Sequence, residues 1–501
     1  MPSCVVPFDV WSAIAEYFPP DTLLSFSLVN RAFYELAQKV KYQATDLITY
    51  DKNTKKLLRE LKNPSCGSFV RTVHIQPWKV SDVVKPPPRR RRRLLDKLHA
   101  LVDAEYALER SKAVVQKRLN KQLAMVLDTF SRLQNVLEYR IEWDETPNYH
   151  AEFFRAFLCP LLADTSFGQT LVKFSIKVPV ERLPCLATVH LPSLQELDVQ
   201  LYTGKVPPQE VAYLLDSFAV FVNNLYHTLR SLAVTSTFSS QNLNLNRFFH
   251  HLGDFPSLRS FALSTPWDGV HVWAPVDAPF PLQTFIGKHS RQLQELKLLC
   301  SRIGTSPVPV DPAAKDWIQR ILGSIDDRFH LLSRLELDLR NLRSQTGADL
   351  GGLVKCLEPI ASQLESLVLT ECPLWKCQVE RILQLFPRSA GEANLRMLAL
   401  RLQRLTPEVV DLLASRLPFL RSLELTFAEV EGALFGSRSE KLDTFLARMS
   451  GRRYASWQLS RLALSESPKY VDLKWMNELE QAFVECIPSL HHVAPLPPLQ
   501  L

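Results

Sequence analysis

Two spacings of apolar residues divide this 501-residue chain. Over residues 7–37 they recur at helical period. Val10, Trp11, Ile14 and Tyr17 mark a helix from about Phe8 to Tyr17, which Pro19-Pro20 ends. Leu23, Leu24, Phe26 and Leu28 mark a second short helix with Asp21 or Thr22 as its cap. Phe33, Leu36 and Ala37 mark a third, capped by Asn30. Three helices totalling about forty residues bury too little apolar surface to stand alone. Their leftover apolar face has to dock on something.

Beyond residue 66 the pattern changes to a repeated phrase, apolar-x-x-apolar-x-apolar. Copies begin at Val70, Val136, Leu171, Leu194, Leu229, Leu258, Leu293, Leu332, Leu364, Leu395, Leu420, Leu459 and Leu490. Leu229-Arg-Ser-Leu232-Ala-Val234 and Leu420-Arg-Ser-Leu423-Glu-Leu425 are typical. The alternating end of the phrase is a strand signal. Helical stretches lie between copies, at 211–229, 317–332, 353–360, 379–386, 409–417 and 473–487. A strand and a returning helix per unit predict an α/β solenoid. The competing architecture, stacked helix pairs, has no place for the period-two phrases.

One segment breaks the repeat. Lys85 is followed by three prolines and then by Arg89, Arg90, Arg91, Arg92 and Arg93. An amphipathic stretch from Leu94 to about Phe130 follows. The expectation is a basic linker and then a helix packed on the end of the solenoid. The arginine run suits nuclear import, contact with an acidic partner, or a merely solvated linker. The chain carries a formal charge of +7, and Lys85 with the five arginines accounts for nearly all of it. Diffuse nucleic-acid binding is therefore not expected.

Composition excludes more than it assigns. No stretch reads as a membrane span or a secretory signal, so an intracellular location, nuclear or cytoplasmic, is expected. The nine cysteines include no Cys-x-x-Cys pair, so no metal site is expected and reduced, buried thiols are. No phosphate loop, His-Glu-x-x-His or Gly-x-Ser-x-Gly occurs, so no catalytic residue and no cofactor is assigned.

The N-terminal residues carry a resemblance. Pro7, Asp9-Val10, Ile14, Phe18, Leu23-Leu24, Ser27-Leu28-Val29-Asn30 and Phe33 follow the F-box pattern in order and spacing. Residues 1–45 resemble the Val-Asn-Arg-x-Phe form common in fungal F-box proteins. Val6 and Phe18 stand where leucine is more usual, and Phe33 where tryptophan often stands. The resemblance implies docking on the small adaptor subunit of SCF-type cullin ligases. Pro7, Val10, Ile14, Leu23, Leu24, Leu28, Val29 and Phe33 would divide between the helix core and that contact. The plainer alternative makes these helices the cap of the downstream array.

The repeated phrase resembles the leucine-rich repeat, which implies a horseshoe of parallel strands with helices on its convex side. Only Leu364 to Leu374 completes the family's longer unit, with Cys372 and Leu374, and the copies from Val136 onward are 23 to 39 residues apart. An irregular horseshoe is therefore expected. The organisation expected is an F-box at 1–45, a connector at 46–65 and a solenoid at 66–495 that carries the insertion at about 80–132. The implied function is that of a non-catalytic substrate receptor of a ubiquitin ligase, partnered by the adaptor, a cullin and a protein substrate. A non-degradative scaffold using the same two surfaces is the alternative. Between the inward leucines, neighbouring residues line the sheet. Ser231, Ala233, Thr235, Ser260, Ala262 and Ser264 are small and flanked by charged rows, a hollow suited to a substrate. Trp267 and Trp273 in the following loop would form its lip.

Overall fold

The computed structural model describes residues 7–15, 17–49, 51–77, 104–143, 157–158, 161, 166–204, 206–237, 240, 242–266, 269–274, 280–301, 317–323, 329–338, 350–387, 394–430, 438–466 and 473–495. Val6, Lys85, the run Arg89 to Arg93 and Trp267 lie outside them. The chain is α/β and divides into two compact units, Met1–Leu229 and Arg230–Leu501. The array expected as one stretch is thus shared between two bodies.

The first unit opens with α1 (Phe8–Ala15), α2 (Pro20–Ser25), a 3-10 turn (Phe26–Leu28) and α3 (Arg31–Gln43). Asn30 caps α3, its side chain accepting from the Phe33 N–H at 2.9 Å. The cap expected for α2 is different. Pro19 occupies it without a side-chain bond, and Pro20 starts the helix, where its missing N–H is not needed. Phe33 packs ring to ring with both Trp11 and Phe26, with centroids 5.1 and 5.6 Å away respectively. Ala15, Leu23 and Leu36 complete that small core.

No linker follows α3. Gln43 leads directly into β1 (Ala44–Leu47), so the stretch expected as a connector holds the end of β1 and then α4 (Lys52–Leu61). Next come α5 (Pro64–Gly67), β2 (Thr72–Ile75), α6 (Ala104–Phe130), β3 (Glu138–Glu142) and α7 (Ser166–Thr170). Then follow β4 (Lys173–Pro179), a 3-10 segment (Val180–Leu186), β5 (Glu196–Tyr202) and α8 (Pro208–Asn223). The five strands pair in chain order, all parallel. α6 does not close an end as expected. It is the crossover from β2 to β3, and its last turn lies on α4, where Thr129 Oγ1 donates to the Leu58 carbonyl at 3.2 Å and Lys62 pairs with Asp128 at 2.5 Å.

The second unit holds β6 (Ser231–Ser236), α9 (Asn246–His251), β7 (Ser260–Pro266), α10 (Pro281–His289), β8 (Glu295–Ser301) and α11 (Trp317–Gly323). It continues with β9 (Arg334–Asp338), α12 (Gly351–Leu357), β10 (Ser366–Leu374), α13 (Lys376–Leu383), β11 (Met397–Leu405) and α14 (Pro407–Arg416). β12 (Ser422–Val430), α15 (Arg438–Met449), β13 (Arg461–Glu466), α16 (Leu473–Cys486) and β14 (His492–Pro495) close it. Its nine strands are also parallel and in order.

In every copy the strand begins two residues after the first apolar position of the phrase. Parallel strands cannot be joined by a tight turn, so each copy needs a crossover, and the helices supply it. Register then stacks the phrase leucines. Leu335, Leu367, Leu398, Leu423 and Leu462 stand in one row across β9 to β13, all buried. Each fully buried leucine contributes about 2 kcal/mol of transfer free energy. The cysteine expectation is corrected. Of the six free thiols among the described residues, Cys356 and Cys486 are buried, Cys377 is exposed and three are partly covered.

Candidate docking surfaces

The first three helices carry more apolar residues than their core can take. Trp11, Ala15 and Phe18 form one stripe, which faces α2 and α3. Val10, Ile14 and Tyr17 form a second, at the same i, i+4, i+7 spacing, and all three are exposed, Tyr17 to 89%. Asp9, Val10, Ala13, Ile14, Tyr17 and Phe18 line a shallow, almost wholly apolar groove of about 480 Å³. The turn after α2 adds Leu28, 94% exposed, and Val29, 64% exposed. The eight residues singled out from the sequence therefore separate. Leu23 and Phe33 are core, whereas Pro7, Val10, Ile14, Leu24, Leu28 and Val29 face outward.

Three further exposed residues, Phe8, Tyr17 and Tyr34, were not singled out as contacts. Their signal lay in the sequence: α1 has two apolar stripes, and a helix in a small bundle buries only one. Behind the patch, side chains tie the end of α3 to α4. Tyr42, buried at the end of α3, donates its hydroxyl to Glu60 of α4 at 2.8 Å. Lys41 reaches both groups, at 2.8 Å to the Tyr42 hydroxyl and 3.2 Å to Glu60. Burial pushes the Tyr42 phenol up to about 12, and the Tyr42 and Lys41 donors hold Glu60 below the usual carboxylate range.

The second surface is on the sheet of the second unit. Pairing of β6 with β7 puts Ser231 beside Ser260, Ala233 beside Ala262 and Thr235 beside Ser264, so the six small residues share a face. All six are half-buried. On the β8 side the floor is bounded by charge. Ser260 Oγ donates to Glu295 at 2.8 Å, and Lys297 bridges Glu295 at 3.2 Å and Glu336 at 3.5 Å. Burial alone would raise Glu295, but the Ser260 hydroxyl and the Lys297 ammonium outweigh it and hold the carboxyl below its ordinary value.

The loop after β7 is anchored by its own side chains. Gly269 supplies a φ of 67°, a left-handed turn that a side chain would strain. His271 then turns inward and meets Ser236 Oγ at 2.8 Å, and its carbonyl accepts from the Leu245 N–H at 2.7 Å. Val270 and Trp273 are left outside, Trp273 36% exposed with its carbonyl held by Asn246. The Ser236–His271 pair is fully buried, which suits anchoring.

Among the described residues no group of three or more His, Cys, Asp or Glu could hold a metal ion, and no helix is long and apolar enough to cross a membrane. Compared with known proteins, the chain matches no protein-family model and no curated protein sequence.

Proposed function

We propose that this chain is the substrate-recognition subunit of an SCF-type ubiquitin ligase, non-catalytic in itself. In this reading α1 to α3 are an F-box that binds the small adaptor and through it a cullin. The repeats behind them are degenerate leucine-rich repeats whose open sheet face captures a protein substrate. The observation that carries the reading is the second apolar stripe of α1, continued by Leu28 and Val29, exposed on a helical unit whose own core is already filled. An exposed apolar patch of this kind marks a protein contact. The small-residue floor of β6 and β7, with Trp273 beside it, is the proposed substrate hollow.

The test is Leu24→Asp with Val29→Asp. Both positions are exposed in the free chain, so the charges cost little there. On docking each would be desolvated, at a cost of several kcal/mol. Adaptor and cullin should co-precipitate with the intact chain and be lost from the double variant. Undiminished recovery with the variant would defeat the reading. Ala233→Arg with Ala262→Arg should leave adaptor recovery intact and change the set of partners trapped under proteasome inhibition.

A further inference from the structure

Six arginines of the second unit lie at the N-terminal rim of its sheet, at two successive positions of the phrase. Arg230, Arg259, Arg396 and Arg421 each precede a strand by one residue, and Arg334 and Arg461 open β9 and β13. The backbone ladder sets Arg230 beside Arg259, and Arg396, Arg421 and Arg461 side by side, with Arg334 on β9 between the two groups. Arg259 N–H donates to the Arg230 carbonyl at 2.8 Å, Arg421 N–H to Arg396 at 2.9 Å and Arg461 N–H to Arg421 at 3.0 Å. With neighbouring strands about 4.8 Å apart, the row from β6 to β13 covers roughly 34 Å, the reach of about ten residues of extended chain.

These guanidinium groups are mostly open to solvent. Five of the six are exposed, and Arg396 is half-buried with Nη1 on the Phe419 carbonyl. Arg334 stands beside Glu295 in register. None of the six makes an ion pair with a carboxylate among the described residues. Glu295 and Glu365 are the two acids among the eighteen residues at the two positions that follow the phrase's first apolar residue in this unit, against the six arginines. Outside the Lys85–Arg93 segment the chain is nearly neutral, so the row is a local field and not a share of general basicity.

The chemistry of the row narrows what it fits. Each of Arg230, Arg259, Arg334, Arg421 and Arg461 adjoins a serine in sequence. A guanidinium forks onto a carboxylate through two N–H donors, and a neighbouring hydroxyl can add a third. Single-stranded nucleic acid would call for aromatic platforms between the charges. The two residues after the first apolar position include no Phe, Tyr or Trp in any of the nine copies. We propose that this rim binds an extended, Asp- and Glu-rich segment of a protein partner. The inference rests on the sheet of this unit being a partner-binding surface, but it needs neither the adaptor contact nor the small-residue floor.

The test uses the full chain with Arg89→Ser through Arg93→Ser, which removes the competing basic run. The probe is a labelled peptide of roughly ten residues alternating Asp and Ser, whose carboxylates lie on one side when extended. It should bind, and weaken steeply as salt is raised. Arg396→Ser/Arg421→Ser/Arg461→Ser should weaken it by about tenfold or more at low salt, the sum of several pairs each of modest worth. Arg230→Ser/Arg259→Ser, at the other end of the row, should weaken it several-fold and guards against a folding defect in the triple variant, which a thermal melt also reads. No binding, equal binding by both variants, or preference for a length-matched oligonucleotide would each overturn the proposal. Adaptor co-precipitation measured on the same preparations separates that failure from a failure of the ligase reading.

Discussion

Leu28 and Phe33 stand five positions apart on the same short motif, and the structure gives them opposite work. Phe33 is buried against Trp11 and Phe26, whereas Leu28 projects from the turn. Phe33→Ala should cost about 3–5 kcal/mol and lower the melting temperature, as loss of a packed ring does. Leu28→Ala should leave the melt where it is and weaken adaptor recovery. Motif spacing could not separate the two, because burial depends on how α1, α2 and α3 rotate against one another. Two histidines give a residue-scale prediction in pH. His289 is locked neutral: its Nδ1–H donates to the Phe285 carbonyl at 2.8 Å and its Nε2 accepts the Phe255 N–H at 2.9 Å. Burial lowers its pKa and pushes His271 down to about 4. Between that value and about 6.5 the unfolded chain binds a proton at position 271 that the folded chain does not. Stability of the second unit should therefore fall as pH drops from about 6.5 towards 4, by on the order of 3 kcal/mol for His271. A melting series over that range checks it, and His271→Asn should flatten the slope.

At the scale of elements, the copies that begin at Val70 and beyond were readable because every one keeps an apolar residue at all three phrase positions. β1 was not. Its phrase is Tyr42, Thr45 and Leu47, at the same spacing and equally buried, with a threonine in the central leucine position. A threonine methyl and β-branch suit a strand, but its hydroxyl breaks the apolar pattern. That hydroxyl, Thr45 Oγ1, is buried and has no hydrogen-bond partner among the described residues. Thr45→Val keeps the shape and removes the unsatisfied group. It should stabilise the first unit by about 1 kcal/mol, seen as a higher urea midpoint with an unchanged slope. A lower midpoint would mean that the hydroxyl is bonded after all. The path of α6 was hidden for a different reason. Amphipathic period shows that a helix has a buried face and is silent on which neighbour covers it. The parallel pairing of β2 with β3 makes it a crossover, and the bonds of Thr129 to Leu58 and of Asp128 to Lys62 lay its last turn on the end of α4.

At the scale of the whole molecule, the division at Leu229 has no mark in the phrase, since Leu194 and Leu229 open copies of the same form whose strands, β5 and β6, fall in the two units. The candidate contacts were legible where they coincide with a motif or a run of small side chains. They were hidden where they depend on a row assembled from many strands, as with the arginine rim. The same continuity decides how the two proposed activities should be separated by experiment. Deleting residues 1–43 removes more than a docking patch, because α3 runs into β1 without a break and carries Tyr42. The deletion strips that buried ring from the first unit and leaves Glu60 without its phenol donor. Loss of a buried aromatic side chain alone costs about 3–5 kcal/mol. The truncated chain should therefore melt well below the intact one and lose partners through unfolding as well as through the missing contact. Leu24→Asp/Val29→Asp alters only exposed positions and should melt with the intact chain. Differential scanning fluorimetry of the three proteins checks this. If the truncated chain melts with the intact one, α3 contributes nothing to the sheet behind it, and the deletion becomes as clean a probe as the double variant.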